Sequence, residues 1–202
     1  MSNHGEYKAL TSERFLFREM RIVAKLLNSG KSPTEIKSVA EKENIFEFPT
    51  TSMSKNIASL CIKRLSGLGS DELVDAAANK APDTAKMVCL YAMMKQNWTV
   101  CDFMLSVVGE KYRTMDLSFL RADINIYFMR LQEQNDTVAS WSSASIKRSE
   151  ASIEQILLET EYLESRKSTK LAPVWLPTFL KNAMIEIGDG YMLPAFNSFD
   201  EE

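Results

Sequence analysis

The chain has 202 residues, 45% of them apolar and 25% charged, and a formal net charge of -3. This ordinary globular mixture argues against disorder and admits one large domain or two small ones. No apolar run approaches the ~20 residues needed to cross a bilayer, and the polar start from Met1 to Lys8 has no apolar segment behind it. The expectation is therefore a cytoplasmic protein with no secretory signal and no membrane partner.

From Ser12 to Leu27, the positions Phe15, Met20, Val23, Ala24, Leu26 and Leu27 recur at helical spacing, with Arg14, Arg18, Arg21 and Lys25 on other faces. This predicts an amphipathic helix, which Asn28-Ser29-Gly30 stops. Ser32-Pro33-Thr34-Glu35 then supplies an N-cap, a proline at the first helical position and an acidic first turn for a second helix over Pro33 to Glu43. Pro49 biases Phe48 away from helical dihedrals, and Thr50 or Thr51 caps a third helix from about Thr51 to Ser66, ended by Gly67. With Met53 at zero on a wheel of about 100° per residue, Ile57, Leu60 and Cys61 lie within about 80° and form the expected core stripe. Ser52, Lys55, Asn56, Ser59 and Lys63 share the arc from about 200° to 300°. No Asp or Glu occurs between Glu47 and Asp71.

Asp71 to Lys80, Pro82 to Lys95, Trp98 to Lys111 and Asp116 to Gln134 read as four more helices. Their Met, aliphatic and aromatic positions are expected to be core. Gln134 to Thr137 is short, polar and turn-prone, and predicts a division into 1–136 and 137–202. A helix from Ser143 to Thr160 follows, with the stripe Ile146, Ile153, Ile156 and Leu157. Ser145, Arg148, Ser152, Gln155 and Glu159 lie on the opposite arc. Tyr162-Leu163 and Leu171-Ala172 bracket the polar run Glu164 to Lys170, the pattern of a β-hairpin wing. Pro173 and Pro177 end it, and Phe179 to Ile187 forms a last short helix before an acidic tail.

Chemistry is limited by what is missing. His4 is the only histidine, and Cys61, Cys89 and Cys101 are widely spaced among apolar residues. Ser/His/Asp and Cys/His catalysis, histidine-based metal sites and a disulfide framework are thereby excluded, and no cofactor or small-molecule substrate is implied. Three buried thiols are expected.

The charge distribution is more informative than the mean. Residues 1–68 carry 11 Lys/Arg against 7 Asp/Glu, residues 69–136 carry 7 against 10, and residues 137–202 carry 6 against 10. Twice in the chain a short helix, a break and a longer helix follow in order, and each longer helix sets a narrow apolar stripe against small polar side chains and cations. A recognition helix needs that arrangement, because Ser, Asn and Gln reach base edges while Lys and Arg neutralise phosphate. The residues expected to touch nucleic acid are Ser52, Lys55, Asn56, Ser59 and Lys63 in the first unit. In the second they are Lys147, Arg148 and Ser152, with Arg166, Lys167 and Lys170 on the wing. Double-stranded DNA is the expected partner. A protein-interaction scaffold accounts better for the overall acidity, and ordinary solvated helix faces have the same polar pattern.

Tyr7-Lys8-Ala9-Leu10-Thr11, the Glu35-Ile36 helix, Ser54-Lys55-Asn56-Ile57-Ala58 leading to Ile62-Lys63-Arg64-Leu65, Asp102-Phe103, Glu110-Lys111-Tyr112 and the Leu-rich helix before Tyr162-Leu163 follow one another in an order that resembles the BrxA family. These are small accessory proteins of bacteriophage-exclusion (BREX) defence loci, and the likeness spans about Tyr7 to Phe196. It implies an all-α fold with helix-turn-helix-like and winged-helix-like elements, comparison with the antitermination factor NusB, and double-stranded DNA binding, which the absence of a catalytic apparatus makes non-enzymatic. It also implies partnership with a methyltransferase, ATPases and a phosphatase-like protein. The NusB comparison raises RNA binding as a further alternative. Members of the family often place a glycine shortly before the apolar wing strand, where this chain has Glu161 and Tyr162. The fold expected is all-α with one small β-hairpin.

Overall fold

The computed structural model describes residues 5–11 and 14–199. Helices dominate, and no strand forms among the described residues. No helix there is long and apolar enough to cross a membrane. The chain divides into two compact units, one formed by Leu16–Gln96 and the other by the flanking residues up to Phe15 and from Asn97 onward. Asp136, where the sequence placed a division, begins a short helix within the flanking unit. His4 and Ser12, the expected start of the first helix, lie outside the described residues.

The inserted unit holds five helices: α1 (Phe17–Asn28), α2 (Pro33–Glu43), α3 (Thr51–Ser66), α4 (Asp71–Asn79) and α5 (Pro82–Gln96). Local chemistry sets their ends. Ser32 Oγ accepts from the Glu35 amide at 3.3 Å, and Glu35 Oε2 accepts from the Ser32 amide at 2.7 Å, a complete capping box with Pro33 at the first position. Asn44 closes α2 at φ 46° and clamps the turn by exchanging hydrogen bonds with Phe48. Thr50 and Ser70 cap α3 and α4 through their hydroxyls. Ala76, Ala77 and Ala78 are buried on α4, which packs on α1. Every residue of α5 from Met87 to Met94 is buried, so this helix is the unit's interior.

The flanking unit contains α6 (Trp98–Phe103), a π-helical segment (Met104–Gly109), α7 (Glu110–Arg113), α8 (Arg121–Gln134), α9 (Asp136–Ala139), α10 (Ser143–Glu159), α11 (Thr178–Ile187) and a 3-10 helix (Gly190–Phe196). The helix expected over Trp98 to Lys111 is thus interrupted by a wide turn. Gly109 there faces Pro194, and a Cβ at this position would stand 3.1 Å from it. The helix expected from Asp116 begins only at Arg121. Met115 takes φ 57°, and Asp116 accepts from the amide and hydroxyl of Ser118, a local turn that competes with helix formation.

The β-hairpin wing does not form as strands. Thr169 O accepts from the Phe119 amide at 2.9 Å and Leu117 O accepts from the Leu171 amide at 2.8 Å, leaving one isolated bridge between Ser118 and Lys170. Only the Ala172 amide reaches back across the loop, to Tyr162 O at 2.9 Å. The return arm therefore pairs with residues 117–119, because Glu161 enters the loop at φ 64° and Tyr162 is fully buried, donating to Ala195 O at 2.8 Å. Glu161 holds the left-handed backbone that a glycine adopts without strain.

Candidate nucleic-acid interface

The polar arc of α3 is the first candidate surface. Ser52, Lys55, Asn56 and Lys63 are exposed and Ser59 is half-buried, its hydroxyl donating to Lys55 O at 3.0 Å. The buried side is Ser54, Ala58, Cys61, Ile62, Arg64 and Leu65. Met53, Ile57 and Leu60, expected at the centre of the core stripe, are only half-buried. The core face is rotated toward Ala58 and Leu65 because a fully buried arginine, Arg64, occupies the interior and donates to Gln96 Oε1 of α5 at 3.3 Å. An apolarity wheel cannot anticipate a buried cation.

Lys55 is not remote from acid. Its ammonium stands 2.8 Å from Glu41 of α2, both side chains nearly half exposed. The α3 sequence holds no carboxylate, but the neighbouring helix supplies one. Lys63 and Asn56 remain open to solvent.

The second candidate surface lies on α10 and the following loop. Lys147 and Arg148 are exposed on the first half of α10. Arg166, Lys167 and Lys170 are exposed on the loop, where Ser165 and Ser168 close a turn through the Ser168 amide donating to Ser165 O at 3.0 Å. Arg166 donates to Gln155 of α10 at 3.4 Å, which brings this loop cation against the helix. Ser152 has a different duty: its hydroxyl donates to Leu10 O at 2.8 Å. Buried Ser149 accepts from the Leu10 amide at 2.9 Å, so the two serines together bind the N-terminal segment to α10. Glu154 is buried beside Arg121 at 3.7 Å, and Glu159 accepts from Gln155, so these acids face α8 and the helix itself.

The three cysteines are free and buried, and burial pushes the Cys89 and Cys101 thiols up to about 12. Among the described residues no group of three His, Cys, Asp or Glu is placed to hold a metal ion.

A family model described as BrxA matches residues 6–188. A relative from Bacillus cereus named "BREX protein BrxA" is 34% identical over 165 residues, 81% of this chain and 82% of its own. A second protein of that name, from Paramagnetospirillum magneticum, is 22% identical over 87% of each chain. The solved structure of an uncharacterized protein from Magnetospirillum magneticum superposes with a TM-score of 0.80 at 20% identity, covering 96% of this chain and all of that one, a likeness of fold.

Proposed function

The chain belongs to the BrxA family, and from that premise we propose that it is a non-enzymatic accessory protein of a BREX defence system that binds double-stranded DNA. The observation that carries the reading is the exposed arc of α3, where Ser52, Lys55, Asn56 and Lys63 face solvent on a helix without any acidic residue. Read as a helix-turn-helix, α2 and α3 place α3 in the major groove, with Asn56 and Ser52 toward base edges and the lysines toward phosphate. Lys55 exchanges Glu41 for phosphate on binding. The loop of Arg166, Lys167 and Lys170 acts as a winged-helix-like phosphate clamp after α10, with Lys147 and Arg148 beside it. Ser152 takes no part in it, because its hydroxyl is engaged by Leu10.

Two features favour a second role as a scaffold for other BREX components, the methyltransferase, ATPases and phosphatase-like protein implied by family. Leu120, Ile126 and Met129 on and before α8 are 54%, 45% and 61% exposed, and Trp175 is 72% exposed. Large apolar surface of this kind suits binding to other proteins.

Fluorescence anisotropy with a labelled duplex tests the DNA reading. With about four phosphates neutralised, the log-log salt slope between ~50 and ~200 mM is expected near -3.6. Duplex DNA should outcompete single strands and structured RNA. Equal competition by RNA would favour the NusB-like alternative, and no binding at low salt would remove the nucleic-acid reading.

A further inference from the structure

The flanking unit contains a polar cleft of about 560 Å³ that neither candidate DNA surface uses. Its size falls within the ~300–1,000 Å³ range of small-molecule sites. Three separate elements converge on one carboxylate there. Tyr127 of α8 and Tyr7 of the N-terminal segment both donate to Asp102 Oδ2, at 2.8 and 3.2 Å. Burial pushes both phenols up, so they stay protonated donors. Among the described residues the second carboxylate oxygen of Asp102 has no hydrogen-bond partner, and no Lys or Arg stands within ion-pair distance of it. The π-helical segment begins two residues beyond Asp102, and its Ser106 and Val107 form part of the cleft wall. Wide turns of this type are frequent at functional sites.

The other carboxylates of the cleft and Lys111 already have partners. Glu110 binds the Arg113 guanidinium, Asp116 accepts from Ser118, and Asp123 holds Lys111 at 3.3 Å while accepting from the Leu120 amide. Lys111 also donates to Ser118 O at 2.6 Å. Arg130 lines the cleft from the exposed side of α8 without pairing with Asp102. One half-buried carboxylate thus stands without a counter-charge beside two tyrosine rings, and Val107, Ile126 and Leu131 supply apolar wall. A partly desolvated anion attracts a cation, and apolar walls accept a carbon stem.

We propose that this cleft binds an aliphatic cation, a carbon stem ending in an ammonium or guanidinium group seated on Asp102. The source is either a free oligoamine or a lysine or arginine side chain of a partner protein. Isothermal titration of the full chain with 1,5-diaminopentane, agmatine, N-acetyl-lysine amide and N-acetyl-arginine amide tests it, with N-acetyl-norleucine amide as the neutral control. Saturable binding of at least one cation is expected, and Asp102→Asn should weaken it by tenfold or more, because a charge-assisted bond is lost. Tighter binding of the amino-acid amides identifies a side chain, and tighter binding of the diamine or agmatine identifies a free amine. Should Asp102→Asn unfold, Ser106→Arg at the exposed lip places a competing cation in the cleft and should block binding while circular dichroism stays native. No saturable heat from any cation up to ~10 mM, equal binding of the norleucine control, or undiminished binding by both variants would overturn the proposal.

Discussion

The corner made by α2 and α3 and the surface made by α10 and its loop have the same sequence pattern, yet they are built by different means. In the inserted unit both ends of α2 and the start of α3 are set within four residues: Ser32 with Glu35, Asn44 with Phe48, Thr50 with Met53. In the flanking unit the decisive bonds join residues far apart in sequence. Ser149 and Ser152 bind Leu10 across separations of 139 and 142 residues, and the loop arm at 169–171 pairs with 117–119. Caps and turn residues act locally and can be read from a short window, whereas a hydroxyl on a helix face is silent about whether it meets solvent or a distant backbone.

This difference should appear first in core energetics. Leu65→Ala on α3 is expected to cost about 2–5 kcal/mol, because Leu65 is fully buried. Met53→Ala, at the position the helical wheel placed in the core, should cost less than about half as much, because Met53 is half-buried. Urea denaturation of the two variants measures this, and equal losses would restore the unrotated stripe.

The next largest effect compares a distant bond with a local one. Ser149→Ala leaves the buried Leu10 amide without its acceptor and should cost about 1–3 kcal/mol. Ser32→Ala removes the α2 cap and should cost about 1 kcal/mol. The two losses also differ in pH dependence. The Ser32 hydroxyl and amide hold the Glu35 carboxyl below its ordinary value of 4.5, so the stability from this pair is present above that value and lost as pH falls through the depressed one. The cost of Ser32→Ala should therefore shrink in acid, while that of Ser149→Ala should not. Chemical denaturation at pH 7 and pH 3.5 separates them.

The smallest stability effect is a gain. Glu161 holds φ 64°, a left-handed conformation that favours glycine, and Glu161→Gly should be neutral or stabilising by up to about 1 kcal/mol. A destabilisation larger than that in thermal melting would mean that the Glu161 side chain, rather than its backbone, shapes the loop.

Much of the fold was legible from sequence, and for the reason the comparison gives. The bounds of α2 and α3 fall where Pro33, Glu43, Thr51 and Ser66 placed them, since N-caps, Pro49 and Gly67 act within a turn of the chain. The wing and the π-helical interruption were not legible, because Leu117, Thr169 and Pro194 decide them from elsewhere in the unit. At the candidate site, the exposure of Lys55, Asn56 and Lys63 followed from the wheel. The Glu41 partner, the tie between Ser152 and Leu10, and the Tyr7–Asp102–Tyr127 cluster did not, because each joins separate elements.

The most direct test of the DNA-binding account compares duplex anisotropy titrations of wild type, Lys55→Ala/Lys63→Ala and Arg166→Ala/Lys167→Ala/Lys170→Ala across salt concentration. All five side chains are exposed, so each variant should remain folded, with stability changed by less than about 0.5 kcal/mol per site. Both should bind more weakly to every duplex sequence, with the salt slope reduced by about 0.9 for each phosphate that is no longer neutralised. Wild-type affinity and an unchanged slope in both variants would show that these faces are ordinary solvated surfaces, and would contradict the account.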